Sequence, residues 1–120
     1  MFSLTIESVA DVAVIRCEGR IVRSDAAYRL RDAVVSQIDS RAIVLDLTDV
    51  QAVEGGGLGM LVFLQRWTQD YGIQVKLFNP SRQVREKLKR AASNLELDIA
   101  SFHSVVALAI GDQNRYGIAA

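Results

Sequence analysis

The chain has 120 residues, half of them hydrophobic, and a single proline, which fits one compact domain large enough to bury roughly two thirds of its unfolded surface. Fourteen basic and fourteen acidic residues cancel to zero formal charge, which argues against general electrostatic attraction to nucleic acid or an anionic membrane. No apolar run approaches the roughly 18 residues needed to cross a bilayer and no signal-peptide pattern opens the chain. The expectation is a cytoplasmic protein with no direct membrane insertion.

Phe2, Leu4 and Ile6 alternate with polar residues, and Asp11 to Glu18 alternates again after Ala10-Asp11, so an N-terminal hairpin closed by Gly19 is predicted. Within it Cys17 is the lone cysteine, expected to be buried packing because it shares a strand face with Ala13 and Ile15. From Ser24, a natural N-cap, apolar Ala27, Leu30, Val34 and Ile38 recur at helical spacing, giving a helix to about Asp39-Ser40. Ala42 to Leu47 is short, almost wholly apolar and rich in β-branched residues, the pattern of a central strand covered on both sides.

Val53-Glu54-Gly55-Gly56-Gly57-Leu58-Gly59 follows, three consecutive glycines between a strand pattern and a helix pattern that runs from about Gly57 to Tyr71. Glycines at such a turn accept unusual backbone angles and leave the first helical N–H groups open. No side chain in the run is a nucleophile. Gly72 stops the helix, Ile73 to Phe78 forms the next strand, Asn79-Pro80-Ser81 turns the chain, and Arg82 to Ala92 forms a third helix. A short strand near Leu95 to Ile99, a last helix from Ser104 to Ile110 and a tail over 113–120 complete a single domain over 1–112. Alternating strands and helices imply an α/β fold with a mixed, mainly parallel sheet carrying an N-terminal hairpin and packed helices.

The glycine run lacks the Lys-Ser or Lys-Thr of a phosphate-binding loop, and Met60 stands where a dinucleotide fingerprint needs its last glycine. No cofactor is expected. The single histidine, His103, is distant in sequence from Cys17 and the glycine turn, so catalysis has little to use. Asp46, Asp49 and Glu54 gather toward the end of the central strand, yet nothing fixes a coordination geometry, and no metal is assigned. Arg82, Arg85, Lys87, Lys89 and Arg90 crowd the third helix, where a solvated face and contact with an acidic partner both remain open. Around the helix after the glycines, Leu58, Leu61 and Val62 lie on one side, with Met60, Phe63, Leu64 and Trp67 on another. One helix of a two-layer domain cannot bury both, so a partner or a second copy covering Met60, Phe63 and Trp67 is one expectation, and packing within the chain the other.

The arrangement resembles the STAS domain family of bacterial anti-sigma factor antagonists and the cytoplasmic tails of sulfate transporters. The resemblance rests on the element order, on Leu45-Asp46-Leu47-Thr48-Asp49-Val50 leading into Glu54-Gly55-Gly56-Gly57-Leu58-Gly59, and on Leu77-Phe78-Asn79-Pro80-Ser81 before Val84-Arg85. The family's usual turn is Asp-Ser-Ser-Gly-Leu-Gly, which Gly57-Leu58-Gly59 match. In antagonists an anti-sigma kinase phosphorylates the first serine and so ends their complex. Here that position is Gly55, the second serine is Gly56, and the aspartate is Glu54. Gly19-Arg20-Ile21-Val22 also lacks the family's Gly-Glu-Leu-Asp acid.

The resemblance implies a non-catalytic module for transcription regulation. It would bind a protein partner, an anti-sigma factor kinase being one candidate, through Val53, Glu54, Gly55, Gly56, Gly57, Leu58, Met60, Phe63 and Trp67, without the serine switch. Alternatives are an accessory STAS subunit of a transporter or scaffold complex, a small-ligand or nucleotide-binding domain using the open N–H groups, and a homodimer through Phe63 and Trp67.

Overall fold

A computed structural model describes residues 1–91 and the backbone of 99–100. The strands are β1 (Phe2–Val9), β2 (Val12–Ile21), β3 (Ala42–Val53), β4 (Gln74–Phe78) and β5 (Ile99–Ala100), and the helices are α1 (Ser24–Ser36), α2 (Gly55–Asp70) and α3 (Arg82–Ala91). The sheet runs β1-β2-β3-β4-β5. β1 is antiparallel to β2, and every later neighbour is parallel, as expected for a hairpin followed by crossovers through helices. Leu95 to Asp98, the helix over Ser104 to Ile110, His103 and the tail lie outside the described residues.

Several boundaries differ from the sequence expectation. Gly19 does not end β2: it adopts φ +99° beside a register irregularity, after which Arg20 and Ile21 still pair with Ala52 and Val53. β3 likewise continues through the polar Thr48, Asp49 and Gln51 to Val53 because the long β2 keeps offering it backbone partners. α1 stops at Ser36, where the Ser36 hydroxyl donates to the Ala33 carbonyl at 2.6 Å. That leaves Ile38 outside the helix and 37% exposed. Ser24 is the first helical residue and makes no capping bond, with Arg23 at the cap position. Ser81 does cap α3, its hydroxyl accepting the Val84 N–H at 3.2 Å.

All three described helices contribute to one core. Leu30 and Val34 of α1, Leu61 and Leu64 of α2, and Val84 and Leu88 of α3 join Ile15, Cys17, Ile21, Ile43, Leu45, Leu47 and Leu77 of the sheet. A second, small cluster on the opposite strand faces contains Val12, Ala42 and Val44, with Val14 and Phe78 against them and no residue of α1, α2 or α3. β3 is thus apolar on both faces, as its continuous run implied. The core side of the sheet places the β3-to-α2 turn between the end of β2 and α3.

Candidate functional site: the glycine turn and the face of α2

Glu54 holds the N-cap position of α2 in extended conformation (φ −150°, ψ 164°), and its side chain makes no capping bond. Its N–H donates to the Ile21 carbonyl at 3.2 Å, tying the turn to β2. Its carboxylate instead reaches Lys87 of α3, Oε1 to Nζ 3.1 Å. Both side chains are about half exposed, so the pair steers α3 against the turn more than it stabilises the fold.

The three glycines do different jobs. Gly55 sits at φ +52°, the left-handed region that side chains resist. Gly57 is buried against the end of β2: a Cβ there would lie 1.8 Å from the Ile21 carbonyl oxygen. A Cβ on Gly56 meets nothing within 4 Å. Gly57 and Leu58 donate their N–H groups back to the Glu54 carbonyl at 3.0 and 3.3 Å. Among the described residues, the N–H groups of Gly55 and Gly56 have no protein acceptor, and both residues are exposed at the positive end of the helix dipole. A groove of about 440 Å³ opens beside them, lined by Glu54, Gly55, Leu58, Lys87, Arg90 and Ala91.

Along α2 the expected apolar excess is mostly absorbed by the chain itself. Leu61 and Leu64 are buried, and Leu58, Met60 and Trp67 are partly buried against the main core. Trp67 also meets Tyr71, ring centroids 4.7 Å apart. Phe63 alone of the predicted stripe is open, 51% exposed. The reason is geometric: α1 lies beside α2, α3 flanks its start and the sheet packs against it through β4 and β2, so three directions around this helix are occupied. Missed by sequence reasoning were Gln65 and Thr68, polar yet buried on α2. Gln65 Nε2 donates to the Val75 carbonyl of β4 at 3.2 Å, and the Thr68 hydroxyl donates back to the Leu64 carbonyl at 2.7 Å. Their spacing with Leu61 and Leu64 was the only signal available.

The three carboxylates are not brought together. Asp46 accepts from the Thr48 N–H and hydroxyl at 3.0 and 2.5 Å and approaches Arg16 at 3.7 Å, Asp49 pairs in register with Glu18 of β2, and Glu54 turns to Lys87. Among the described residues no group of three His, Cys, Asp or Glu side chains is placed to share a metal. The basic face of α3 is partly engaged, through Lys87 to Glu54 and through Arg82 to Glu86 at 3.4 Å. Cys17 is fully buried in the core, and burial, with the Asp46 charge adding to it, pushes its thiol up to about 12. It is packing, not chemistry. No described helix is long and apolar enough to cross a membrane.

Comparison with known proteins agrees with this architecture. No curated relative matches by sequence. Among solved structures, the anti-sigma factor antagonist SpoIIAA of Bacillus, in its unphosphorylated form, superposes with a TM-score of 0.73 at 18% identity, covering 91% of this chain and 97% of that one. An anti-sigma factor antagonist from Mycobacterium paratuberculosis gives 0.65 at 18%, with 91% and 94% covered. The murine anion transporter SLC26A9 gives 0.69 at 18%, covering 88% of this chain but only 18% of the transporter. At these identities the likeness is one of fold. The sequence profile of the STAS domain matches residues 3–107, and the chain belongs to the STAS domain family.

Proposed function

We propose that this domain is a non-catalytic regulatory module of the anti-sigma factor antagonist type, cytoplasmic, whose partner docks on the Val53–Leu58 turn and the Phe63 side of α2 without a phosphorylation switch. The observation that carries the reading is the turn itself. It presents Gly55 and Gly56 to solvent, and no serine, threonine or tyrosine occurs from Val50 to Trp67. A phosphate would add about −1.5 to −2 charges to such a surface, and nothing here can receive it. The nearest hydroxyls do not substitute. Thr68 is fully buried, and Thr48 is held by Asp46 and by Asn79, whose Nδ2 donates to its hydroxyl at 3.2 Å. Glu54 supplies one charge at the turn but spends it on Lys87.

The test is binding of the purified domain to an anti-sigma kinase in ADP and in ATP. The complex is expected to persist in ATP, with no phosphate in residues 50–60. Phe63→Glu is expected to weaken it at least tenfold while leaving stability nearly unchanged. Dissolution of the complex by ATP, or no binding in either nucleotide, refutes the reading. The likeness to SLC26A9 supports a second reading, an accessory STAS domain of a transporter, and capture of transporter subunits in place of a kinase would establish it.

A further inference from the structure

We propose that β1 is a dimerisation strand: two copies of this chain pair antiparallel through their β1 edges, with the two-fold axis at Ile6, to make one sheet continuous across both. This goes beyond the partner surface on α2 and uses none of its residues.

β1 is the outer strand of the sheet, eight residues long, and pairs with β2 without a bulge or register slip from Phe2–Gly19 to Val9–Val12. Antiparallel pairs alternate between residues that bond the neighbour and residues whose backbone groups point away. The phase is fixed at one end by the Arg20 N–H donating to the Met1 carbonyl at 3.1 Å. It agrees at the other end with the two-residue turn Ala10-Asp11 closed by the Val9–Val12 pair. Met1, Ser3, Thr5, Glu7 and Val9 therefore bond inward to β2, and Phe2, Leu4, Ile6 and Ser8 present N–H and C=O to the free edge. Arg29 Nη1 donates to the outward Phe2 carbonyl at 2.5 Å, which occupies the acceptor at that end of the edge. Leu4, Ile6 and Ser8 remain, and among the described residues nothing bonds their outward groups.

That set is symmetric about Ile6. A two-fold axis normal to the sheet must pass through a residue, because residues directly opposite point to the same face. Centred on Ile6, it sets Ile6 against Ile6 of the second copy and Leu4 against Ser8, so the outward donors and acceptors of Leu4, Ile6 and Ser8 all meet, and the Phe2 carbonyl is left to Arg29. On the other face Glu7, the only charge in β1, falls opposite Thr5 and not opposite itself, so no like charges collide. Shifting the axis to Leu4 would require the occupied Phe2, and shifting it to Ser8 would leave Leu4 without a partner. The usual edge protections are missing as well: β1 has no lysine, no proline and no bulge. Ile6 is 38% and Val9 51% exposed.

Sedimentation velocity of the whole chain is expected to give twice the monomer mass at high micromolar concentration. Ile6→Pro removes an outward N–H and no β1–β2 bond, and Ile6→Lys sets two ammonium groups on the axis. Both are expected to sediment as folded monomers, whereas Phe63→Glu stays dimeric. Crosslinking keeps the proposal testable if either variant misfolds. Opposed residues in a bonded antiparallel pair lie about 5.5 Å apart at Cα, inside the range of about 4.4–6.8 Å that a disulfide spans. Ile6→Cys is expected to form a covalent dimer under mild oxidation. Leu4→Cys mixed with Ser8→Cys is expected to do the same, while Leu4→Cys alone does not. A monomer at every concentration, a dimer that survives Ile6→Lys but not Phe63→Glu, or crosslinking of Leu4→Cys with itself overturns the proposal.

Discussion

Gly57→Ala tests whether the close approach of α2 to β2 is what the glycine run is for. The new Cβ would sit 1.8 Å from the Ile21 carbonyl oxygen, 2.4 Å from its carbon and 2.7 Å from Ile21 Cγ2. Van der Waals contact between carbon and oxygen needs about 3.2 Å or slightly more, so the backbone has to move by more than an ångström. The atom in the way is no flexible side-chain end: the same carbonyl accepts the Glu54 N–H, and Ile21 is fully buried. Overpacking of this kind costs about 1–3 kcal/mol, and disturbing a buried hydrogen bond costs about 1–3 more. Alanine's better helix propensity returns at most about 1 kcal/mol. The net is a destabilisation of about 3 kcal/mol, a large share of the roughly 5–15 kcal/mol a domain has. Gly59→Ala is the control, since it lies further along the same helix and its Cβ meets nothing within 4 Å. It should gain up to about 1 kcal/mol. Urea unfolding with a common m-value measures both. Equal midpoints for the two variants would refute the reasoning.

Ala10 holds φ +56° in the β1–β2 turn, so Ala10→Gly should stabilise the fold by up to about 1 kcal/mol in the same assay, and a loss would show that the turn is not strained. The Cys17 thiol, ordinarily near 9.0, is raised to about 12 in the fold. Its proton is therefore kept in the folded state after the unfolded chain has released it. The contribution is whole below about pH 9 and declines by up to about 1.4 kcal/mol per pH unit as pH rises toward 12. Cys17→Ala should show a shallower alkaline loss of stability, and identical slopes would contradict the assignment. A double-mutant cycle on Glu54 and Lys87, using Glu54→Gln and Lys87→Met, should return a coupling of less than about 1 kcal/mol that fades in salt, since both side chains are half in water.

Much of the fold was legible because local periodicity and backbone chemistry speak directly in sequence. The alternation of Phe2, Leu4 and Ile6, the run Ala42 to Leu47, and Gly72, which does sit at φ +70° after α2, each state a local preference that packing then kept. The candidate site was legible in the same way as a place, a bare glycine turn between a strand and a helix, since the absence of a hydroxyl over Val50 to Trp67 is a fact of composition. Boundaries set by a neighbour were not legible. β3 reaches Val53 because β2 runs alongside it, and Ile38, in phase with the α1 stripe, is left outside because the helix ends first.

What the sequence by itself determined is the described elements through α3, their mainly parallel arrangement and a glycine turn without a nucleophile. Tertiary structure alone decided which glycine is needed for space, which for its angle and which for neither, because that depends on how near Ile21 comes to each. It alone decided that Met60 and Trp67 lean on the core while Phe63 stays open, because α1, α3 and the sheet take up three sides of one helix. It alone revealed that Leu4, Ile6 and Ser8 turn backbone groups to an edge unpaired among the described residues, because the direction of a backbone N–H follows from the register of the neighbouring strand and is written in no side chain.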